Sequence, residues 1–332
     1  MTQTQELEKI VLIGATGTIG KPILAEFVAK INRFKRLAVI TSQSTYESKG
    51  KYIEELKAAG VEIIIGDISK PESLKETFAG FDTVVSALGR AALHVQLDLV
   101  DVLATITPSI RFYPSEYGTD IRYDPETSPH EIPHQQKLKV RAKVEALASE
   151  GRITFTYIVT GPFADTFFRR GNLAGVLPDG NTYGIIGSSD PNLQAKISGT
   201  TYSDTARYVV SSVLTPEASE NATLRVSSFT AKPANLQVAS EKVLGKKLET
   251  QYVSLDEHRA TEKQKWEEKD PWATGYTLLR LWYEGRSDFS RKPKALYLVN
   301  GKEVEDKEKE SQLFRDVPQR PLEEVITEIL GA

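Results

Sequence analysis

Near its N-terminus the chain reads Gly14-Ala15-Thr16-Gly17-Thr18-Ile19-Gly20, directly after the apolar run Ile10-Val11-Leu12-Ile13 and before a segment of helical periodicity at 21–28. A strand, a glycine-rich turn and a helix in this order form the context in which such a motif binds a dinucleotide. Glycine allows a tight turn and lets backbone N–H groups approach a pyrophosphate. We therefore expect a helix that begins near residue 17, with the pyrophosphate at its N-terminus.

The residues up to 160 alternate between short apolar runs and segments of helical periodicity. Continuous apolar runs are typical of strands in a sheet that helices cover on both faces. We expect an α/β fold with a doubly wound parallel sheet, in which ligands bind at the carboxyl ends of the strands. Residues 1–160 would form this nucleotide-binding domain and residues 161–332 a smaller substrate-binding lobe, of which some segments could return to the sheet. The predicted strands lie near 9–14, 36–41, 61–66, 82–87, 109–113 and 153–159.

The composition excludes several classes of protein. The chain of 332 residues has a formal net charge of -3 and no cysteine, which argues against disulfide frameworks, thiolate nucleophiles and a nucleic-acid-binding surface. No apolar run approaches the roughly 20 residues that span a bilayer. Among the histidines, His130 and His134 have the spacing of a helical zinc pair, but Pro133 lies between them. We expect a cytoplasmic monomer or homodimer that binds a small-molecule substrate and no metal, nucleic acid or membrane.

The segment after the second predicted strand bears on the choice between NAD and NADP. An NAD-binding protein usually has an acidic residue about 20 residues beyond the glycines, where it binds the ribose 2′-hydroxyl. Here the segment reads Thr41-Ser42-Gln43-Ser44, with Lys49 and Lys51 nearby. Small hydroxyls and lysines can accept a 2′-phosphate that a carboxylate would repel, so the pattern favours NADP. The alternative is that these are ordinary polar loop residues and exposed lysines.

Three further segments follow predicted strands. Asp67 could lie near the adenine amino group, or it could cap a helix that Pro71 begins. The segment Ser86-Ala87-Leu88-Gly89 has small side chains where the middle of the dinucleotide must cross the sheet edge. After the fifth strand comes Tyr113-Pro114-Ser115-Glu116-Tyr117-Gly118, a turn-rich segment with more functional groups than a connection needs.

The helical segment 134–147 contains the candidate for proton transfer. Classical short-chain dehydrogenases use Tyr-x-x-x-Lys, and no tyrosine of this sequence has a lysine four residues later. At the helical period, an apolar stripe runs from Val140 to Ala148, with Lys137 along it and Lys139 on the opposite face. Two interpretations remain open. Lys137 is a desolvated lysine whose lowered pKa suits general acid–base catalysis, or its stem covers apolar surface while its ammonium reaches water.

Several motifs occur in a fixed order along the chain: the glycine motif at 14–20, Lys49-Gly50-Lys51, Gly66-Asp67, Pro114-Ser115-Glu116-Tyr117-Gly118, Lys137 followed by Val140-Arg141, and Thr160-Gly161-Pro162-Phe163-Ala164-Asp165. In this order they resemble the NmrA-like atypical short-chain dehydrogenases. Within that family the chain looks like the isoflavone reductase and phenylcoumaran benzylic ether reductase branch. The similarity is specific up to Asp165 and weaker towards the C-terminus.

The resemblance implies an enzyme in which NADPH donates a hydride to an aromatic substrate and one lysine is the general acid or base. Lys137 matches that lysine, because alignment on Val140-Arg141 leaves Lys139 out of register. A non-enzymatic NADP(H)-sensing regulator of the NmrA-like type is the alternative, although a sensor needs no acid–base group beside the nicotinamide. Of the residues expected to bind NADP(H), Ser86, Ala87 and Leu88 would lie by the nicotinamide half. Ser115 would lie near its ribose, and Pro162 with Phe163 over the ring. The other expected residues are Gly14, Thr16, Gly17, Thr18, Ile19, Gly20, Thr41, Ser42, Lys49, Asp67 and Lys137.

The chain departs from the family pattern in three places. Thr41 stands where the family commonly has an arginine for the 2′-phosphate, so Lys49 and Lys51 must supply the charge. His134 replaces an aromatic residue, and it could tune Lys137, contact the substrate or cap the helix. Thr160-Gly161-Pro162 stands where plant members often have an asparagine-containing turn, which implies a substrate other than the plant ones. The expected substrate residues are His134, Phe163 and Phe167, with the alternative that such aromatic residues belong to the core.

Overall fold

The computed structural model describes residues 8–121, 131–168 and 174–331. Its strands form one large sheet and two small ones. In chain order the strands are β1 (Lys9–Ile13), β2 (Arg36–Thr41), β3 (Glu62–Ile65), β4 (Thr83–Ser86), β5 (Arg111–Tyr113), β6 (Thr154–Val159), β7 (Gly175–Val176), β8 (Thr182–Ile186), β9 (Ile197–Gly199), β10 (Ala222–Arg225), β11 (Phe229–Ala231), β12 (Glu249–Val253), β13 (Ala295–Val299) and β14 (Lys302–Val304).

Helices cover the large sheet and build the remainder of the molecule. In chain order they are α1 (Gly20–Ala29), α2 (Gln43–Ser48), α3 (Gly50–Ala58), α4 (Lys75–Phe78), α5 (Gln96–Leu103), α6 (Ile132–Ser149), α7 (Ala164–Phe167), α8 (Tyr202–Val213), α9 (Pro216–Ser219), α10 (Pro233–Leu244), α11 (Leu255–Glu267), α12 (Ala273–Tyr283), α13 (Lys307–Gln312) and α14 (Leu322–Leu330). Within the described ranges, no helix is both long and apolar enough to cross a bilayer.

Within the described part of the chain, the large sheet has nine strands in the order β14-β13-β10-β6-β5-β4-β1-β2-β3. From β3 to β10 neighbouring strands are parallel, whereas β13 is antiparallel to β10 and β14 is antiparallel to β13. Because β1 lies between β2 and β4, the strand order reverses there, which creates the crevice where doubly wound sheets bind ligands. The expected fold class is confirmed, and each strand predicted before residue 160 is present.

The sheet extends beyond the first 160 residues. β10 pairs with β6 from Ala222↔Thr156 to Arg225↔Val159, and β13 and β14 continue the sheet outward. Without β10, β6 would leave a row of unpaired backbone groups at the edge of a sheet that helices cover on both faces. The segments after residue 160 therefore divide between this sheet and a separate lobe, so a boundary at that residue is not a boundary in space.

The buried apolar side chains fall into clusters on the two faces of the sheet and in the lobe. One cluster includes Phe27 of α1 and Val209 of α8, and the opposite one includes Leu99 of α5 and Val140 of α6. The lobe contains the sheets β12-β8-β7 and β11-β9. Its core includes Phe167, which is 1% exposed. These clusters hold the carboxyl edge of the large sheet beside the lobe, and the site described next lies along that edge.

Candidate functional site

The glycines of the first loop allow three backbone segments to meet. Gly14 has a φ of +79°, and a Cβ on it would lie 2.6 Å from the carbonyl oxygen of Ala87 after β4. A Cβ on Gly20 would lie 2.0 Å from the carbonyl oxygen of Gly14. Real Cβ atoms do not approach backbone this closely, so larger residues would force the loop and α1 apart. The motif therefore builds a close contact between the β1 loop, α1 and the loop after β4.

Helix α1 begins at Gly20, so the prediction of a start near residue 17 is wrong. The N–H of Gly17 donates to Gly14 O at 3.0 Å, and this turn occupies the interval before the helix. Gly17 and Thr18 are exposed, whereas Ile19 is buried. Among the residues that the structure describes, no side chain caps the N-terminus of α1, and its first turn contains no acidic residue. Its partial positive charge is therefore available to a phosphate at the open side of the loop.

The ends of β1, β2 and β3 surround a pocket of about 180 Å³. The structure brings together many of the residues expected to bind the cofactor, although they come from widely separated parts of the sequence. Sequence reasoning missed the apolar wall of this pocket, which Ile53 and Leu56 of α3 supply. Their i, i+3 spacing, which puts both side chains on one face of a helix, is the signal that could have identified them. The expected residues that line the pocket are Gly14, Thr16, Thr41, Ser42, Asp67 and Leu88.

Lys49 places a positive charge beside the glycine loop. Its Nζ donates to the backbone oxygen of Thr16 at 3.2 Å, and its side chain remains exposed. Thr41 is buried at the end of β2, and Ser42 caps α2 by accepting from Thr45 N at 3.2 Å. Neither Thr41 nor Ser42 carries a charge, whereas Lys49 places an ammonium beside the glycine loop.

Asp67 does not cap the helical turn that Pro71 begins, because Lys70 occupies the capping position there. The carboxylate of Asp67 accepts hydrogen bonds from Ser69 Oγ at 2.6 Å and Ser69 N at 3.0 Å. The hydrogen bond from the Ser69 side chain is the main cause that lowers the pKa of Asp67, followed by the one from its backbone. Asp67 therefore belongs to the lining of the pocket as an ionised carboxylate, and its adenine-binding role stays a prediction.

Ser115 ties together the loops after β4 and β5. Its Oγ donates to Leu88 O at 2.7 Å, and its N–H donates to Gln96 Oε1 at 2.7 Å. Ser86 ends β4 fully buried, and among the described residues its Oγ has no hydrogen-bond partner. The hydroxyl of Ser115 therefore positions the loop in which Ala87 meets Gly14.

Lys137 lies on the buried face of α6, whereas Lys139 is exposed, as the helical period predicts. The Nζ of Lys137 donates to Glu116 O at 2.6 Å and to Tyr117 O at 3.3 Å. Burial is the main cause that lowers the pKa of Lys137, while the negative charge of Glu116 opposes this effect. The interpretation in which the ammonium reaches bulk water is therefore wrong.

A chain of buried charges continues from the segment that holds Lys137. Glu116 Oε1 accepts from Arg141 NH2 at 2.9 Å, and Arg141 NH1 lies 3.6 Å from Asp120 Oδ1. Asp120 Oδ2 in turn accepts from Arg225 Nε at 2.8 Å. Sequence reasoning missed these partners, although Arg141 flanks the apolar stripe of α6 one turn after Lys137. The ionic chain fixes the segment 116–120 against α6 and β10.

Glu131 caps α6, so the alternative in which His134 is the cap is wrong. The carboxylate of Glu131 accepts a hydrogen bond from His134 N at 2.7 Å and forms an ion pair with Arg90. Pro133 lies in the first turn of the helix, where its missing N–H is tolerated. Burial is the main cause that lowers the pKa of His134, to about 4, against the opposing charge of Glu131. His134 is therefore neutral near pH 7, and His130 lies outside the described residues.

A second pocket, of about 140 Å³, lies where α6 faces the lobe. Phe163 lines it, but Phe167 does not, because its ring packs in the lobe core 5.8 Å from the ring of Trp282. Phe167 is therefore a core residue of the lobe, as the alternative interpretation has it, and does not line the expected substrate site. Sequence reasoning did not connect this pocket with Thr119, whose Oγ1 accepts from Trp282 Nε1 at 2.8 Å. Among its lining residues are Arg90, Thr119, His134, Lys137, Pro162, Phe163, Leu278 and Trp282.

Residues 6–264 match the model of the NmrA-like family. An isoflavone reductase homolog of Nicotiana glauca is 31% identical to this chain over 259 residues, which cover 76% of this chain and 79% of that protein. A phenylcoumaran benzylic ether reductase of Pyrus communis is 30% identical over 261 residues, which cover 74% and 77%. The solved structure of leucoanthocyanidin reductase with NADPH from Vitis vinifera superposes with a TM-score of 0.76, over 98% of this chain and 100% of that one, at 22% identity.

Proposed function

The chain belongs to the NmrA-like family, and we propose that it is an NADP(H)-dependent reductase that transfers a hydride to a small, largely apolar, aromatic substrate. The observation that carries the proposal is the buried amine of Lys137 in the wall of the second pocket, at the edge of the sheet that also holds the glycine loop. The names of the two reductase relatives support the reaction class.

The residues at the carboxyl edge of the sheet fit NADP(H). The glycine loop and the uncapped N-terminus of α1 offer backbone N–H groups and partial positive charge to the pyrophosphate. Lys49 supplies a full positive charge near the position where a 2′-phosphate would lie. When bound, NADPH supplies the hydride. In this proposal the loop after β4, of which Leu88 lines the nucleotide pocket and which Ser115 holds through Leu88 O, lies along its path towards the second pocket.

Lys137 holds and moves the proton. A protonated lysine has three N–H donors, and two of them are directed at the carbonyl oxygens of Glu116 and Tyr117. The third can reach a substrate atom in the pocket. Because burial disfavours the ammonium, the proton is held less tightly than on an exposed lysine, which suits transfer near neutral pH.

The walls of the second pocket support an apolar substrate. Pro162, Phe163, Leu278 and Trp282 provide apolar surface and exclude water from the space beside Lys137. Neutral His134 and Arg90, which forms an ion pair with Glu131, provide polar groups in the same lining. An aromatic substrate with one or a few polar groups fits a pocket that has both apolar and polar residues in its lining.

A pair of variants on α6 tests the proposal. Lys137→Met removes the buried amine, and Lys139→Met removes an exposed lysine two residues later. We expect both variants to be stabilised against thermal unfolding by NADPH as the native chain is. In a screen of aromatic substrates followed by NADPH consumption, we expect Lys137→Met to lose about 100-fold or more in kcat and Lys139→Met to lose little.

Two results would overturn this function. Retained turnover in Lys137→Met would remove Lys137 from the reaction. Stabilisation by NADPH with no turnover on any compound of the screen, together with a protein that associates only with one redox state of the nucleotide, would establish the NADP(H)-sensing regulator instead.

A further inference from the structure

A third cleft opens at the carboxyl edge of the large sheet, between the end of β10 and the segment that leads into β13. Its volume is about 410 Å³. It lies beyond β6 and β10, so it is separate from both pockets described above. Three cationic residues line it, Arg225, Lys292 and Lys294, and no acidic residue is among the described residues of its lining.

Arg225 forms a fixed, buried floor for this cleft. The residue is 4% exposed. Its Nε donates to Asp120 Oδ2 at 2.8 Å, and its NH1 donates to Pro293 O at 2.7 Å. Asp120 also faces the guanidinium of Arg141 at 3.6 Å, so one carboxylate serves two arginines. Glu116 pairs with Arg141 as well, so the guanidinium of Arg225 is held in place by a balanced ionic chain, and the positive charge of the cleft comes mainly from its lysines.

Lys292 and Lys294 form one wall from the two sides of Pro293. Lys292 is half-buried, and its Nζ donates to Arg286 O at 2.8 Å. Burial is the main cause that lowers its pKa to about 8, with Asp120 and Asp288 opposing and Arg225 adding to the effect. Lys294 is exposed, with Nζ 5.2 Å from the centre of the Phe314 ring, and no described carboxylate lies within ion-pair distance of it. The wall therefore carries two lysines, one half-buried and one exposed.

We propose that this cleft binds a small molecule through a phosphate or carboxylate group. An anion placed in the cleft would accept charge-assisted hydrogen bonds from the ammonium groups of Lys292 and Lys294. The volume falls within the about 300–1,000 Å³ of small-molecule sites, and the cleft is concave, which favours a small ligand over a flat macromolecular surface. The inference goes beyond the proposed reductase function and does not depend on it.

Calorimetric titration with inorganic phosphate tests the proposal, with sodium chloride holding the ionic strength constant. We expect saturable binding of phosphate that becomes about 10-fold weaker in Lys292→Gln and in Lys294→Gln, since each removes one charge-assisted contact. Lys302→Gln, an exposed lysine of β14, is the matched control and should bind phosphate as the native chain does. A parallel titration with acetate distinguishes a carboxylate ligand from a phosphate ligand. Because Lys294 is exposed, its variant retains the fold even if the Lys292 variant is unstable.

Phosphate could also bind at the nucleotide pocket through Lys49, so Lys49→Gln is titrated under the same conditions. Phosphate binding that persists in Lys49→Gln and weakens in the Lys292 and Lys294 variants supports the proposal. Binding that disappears in Lys49→Gln and is unchanged in the other two would assign the signal to the nucleotide pocket and overturn it. The absence of saturable binding with both phosphate and acetate would overturn it as well.

Discussion

The ammonium nitrogen of Lys137 lies 2.6 Å from the backbone oxygen of Glu116. The carboxylate of the same Glu116 accepts from Arg141, one helical turn further along α6, at 2.9 Å. A single residue therefore contacts α6 at two successive turns, through its backbone and through its side chain. This double contact holds the buried amine and sets the charge around it.

The charge of Glu116 should influence the pH dependence of turnover. Glu116 is an anion that raises the pKa of Lys137 against the larger lowering by burial. If protonated Lys137 donates the proton, kcat falls as pH rises through its pKa. Glu116→Gln removes the anion, so we expect this fall to move to lower pH than in the native chain. The measurement is kcat as a function of pH in both proteins, and a midpoint that stays in place or moves to higher pH would contradict the role of Lys137.

Neutral, buried His134 should make stability depend on pH. Its folded-state pKa of about 4 lies below the ordinary value of 6.5, so the unfolded chain binds the proton more readily between these values. The contribution of neutral His134 to the free energy of unfolding is therefore complete above pH 6.5. It is lost as the pH falls towards 4, and the loss amounts to at most about 3 kcal/mol. In urea unfolding at several pH values, His134→Gln should lose stability less steeply on acidification than the native chain. His94→Gln, at an exposed position, should keep the native slope, and equal slopes in all three proteins would contradict this prediction.

Two glycine-to-alanine variants distinguish a position where a Cβ would collide with the backbone from a position where it would not. Gly20→Ala would place a Cβ 2.0 Å from Gly14 O, whereas a Cβ on Gly50 at the start of α3 meets no atom within 4 Å. We expect Gly20→Ala to reduce the free energy of unfolding by about 1–3 kcal/mol and to weaken NADPH binding, because the loop and α1 must move apart. Gly50→Ala should be neutral or slightly stabilising. Urea unfolding measures both, and equal values for the two variants would show that the close approach at Gly20 is tolerated.

The nucleotide preference should depend on Lys49. Because Thr41 carries no charge and Lys49 lies beside the glycine loop, we expect Lys49→Gln to weaken NADPH binding about 10-fold and to leave NADH binding nearly unchanged. Lys51→Gln tests the second lysine of the motif in the same titrations. A Lys49 variant that weakens NADPH and NADH equally would assign the preference to other groups.

The local parts of the site follow from the sequence because they depend on neighbouring residues. The burial of Lys137 and the exposure of Lys139 reflect one helical period. The start of α1 at Gly20 differs from the prediction, because the turn before it packs against the loop after β4. The hydrogen bonds of Asp67 with Ser69 also differ, although they are local, because a carboxylate can bond to a turn as well as cap a helix. The partnership of Arg225 with Asp120 could not be predicted, because 105 residues separate the two in sequence.

The sequence by itself determined the alternation of strands and helices, the glycine loop after β1 and the helix that carries Lys137, since periodicity and glycine geometry act over a few residues. Only the tertiary structure decided that β10, β13 and β14 complete the sheet, that Phe167 belongs to the lobe core, and that Glu116, Asp120, Arg141 and Arg225 form one buried ionic chain. The reason is physical. Strand pairing and the burial of charge depend on which backbone edges and which opposite charges meet once distant segments pack together.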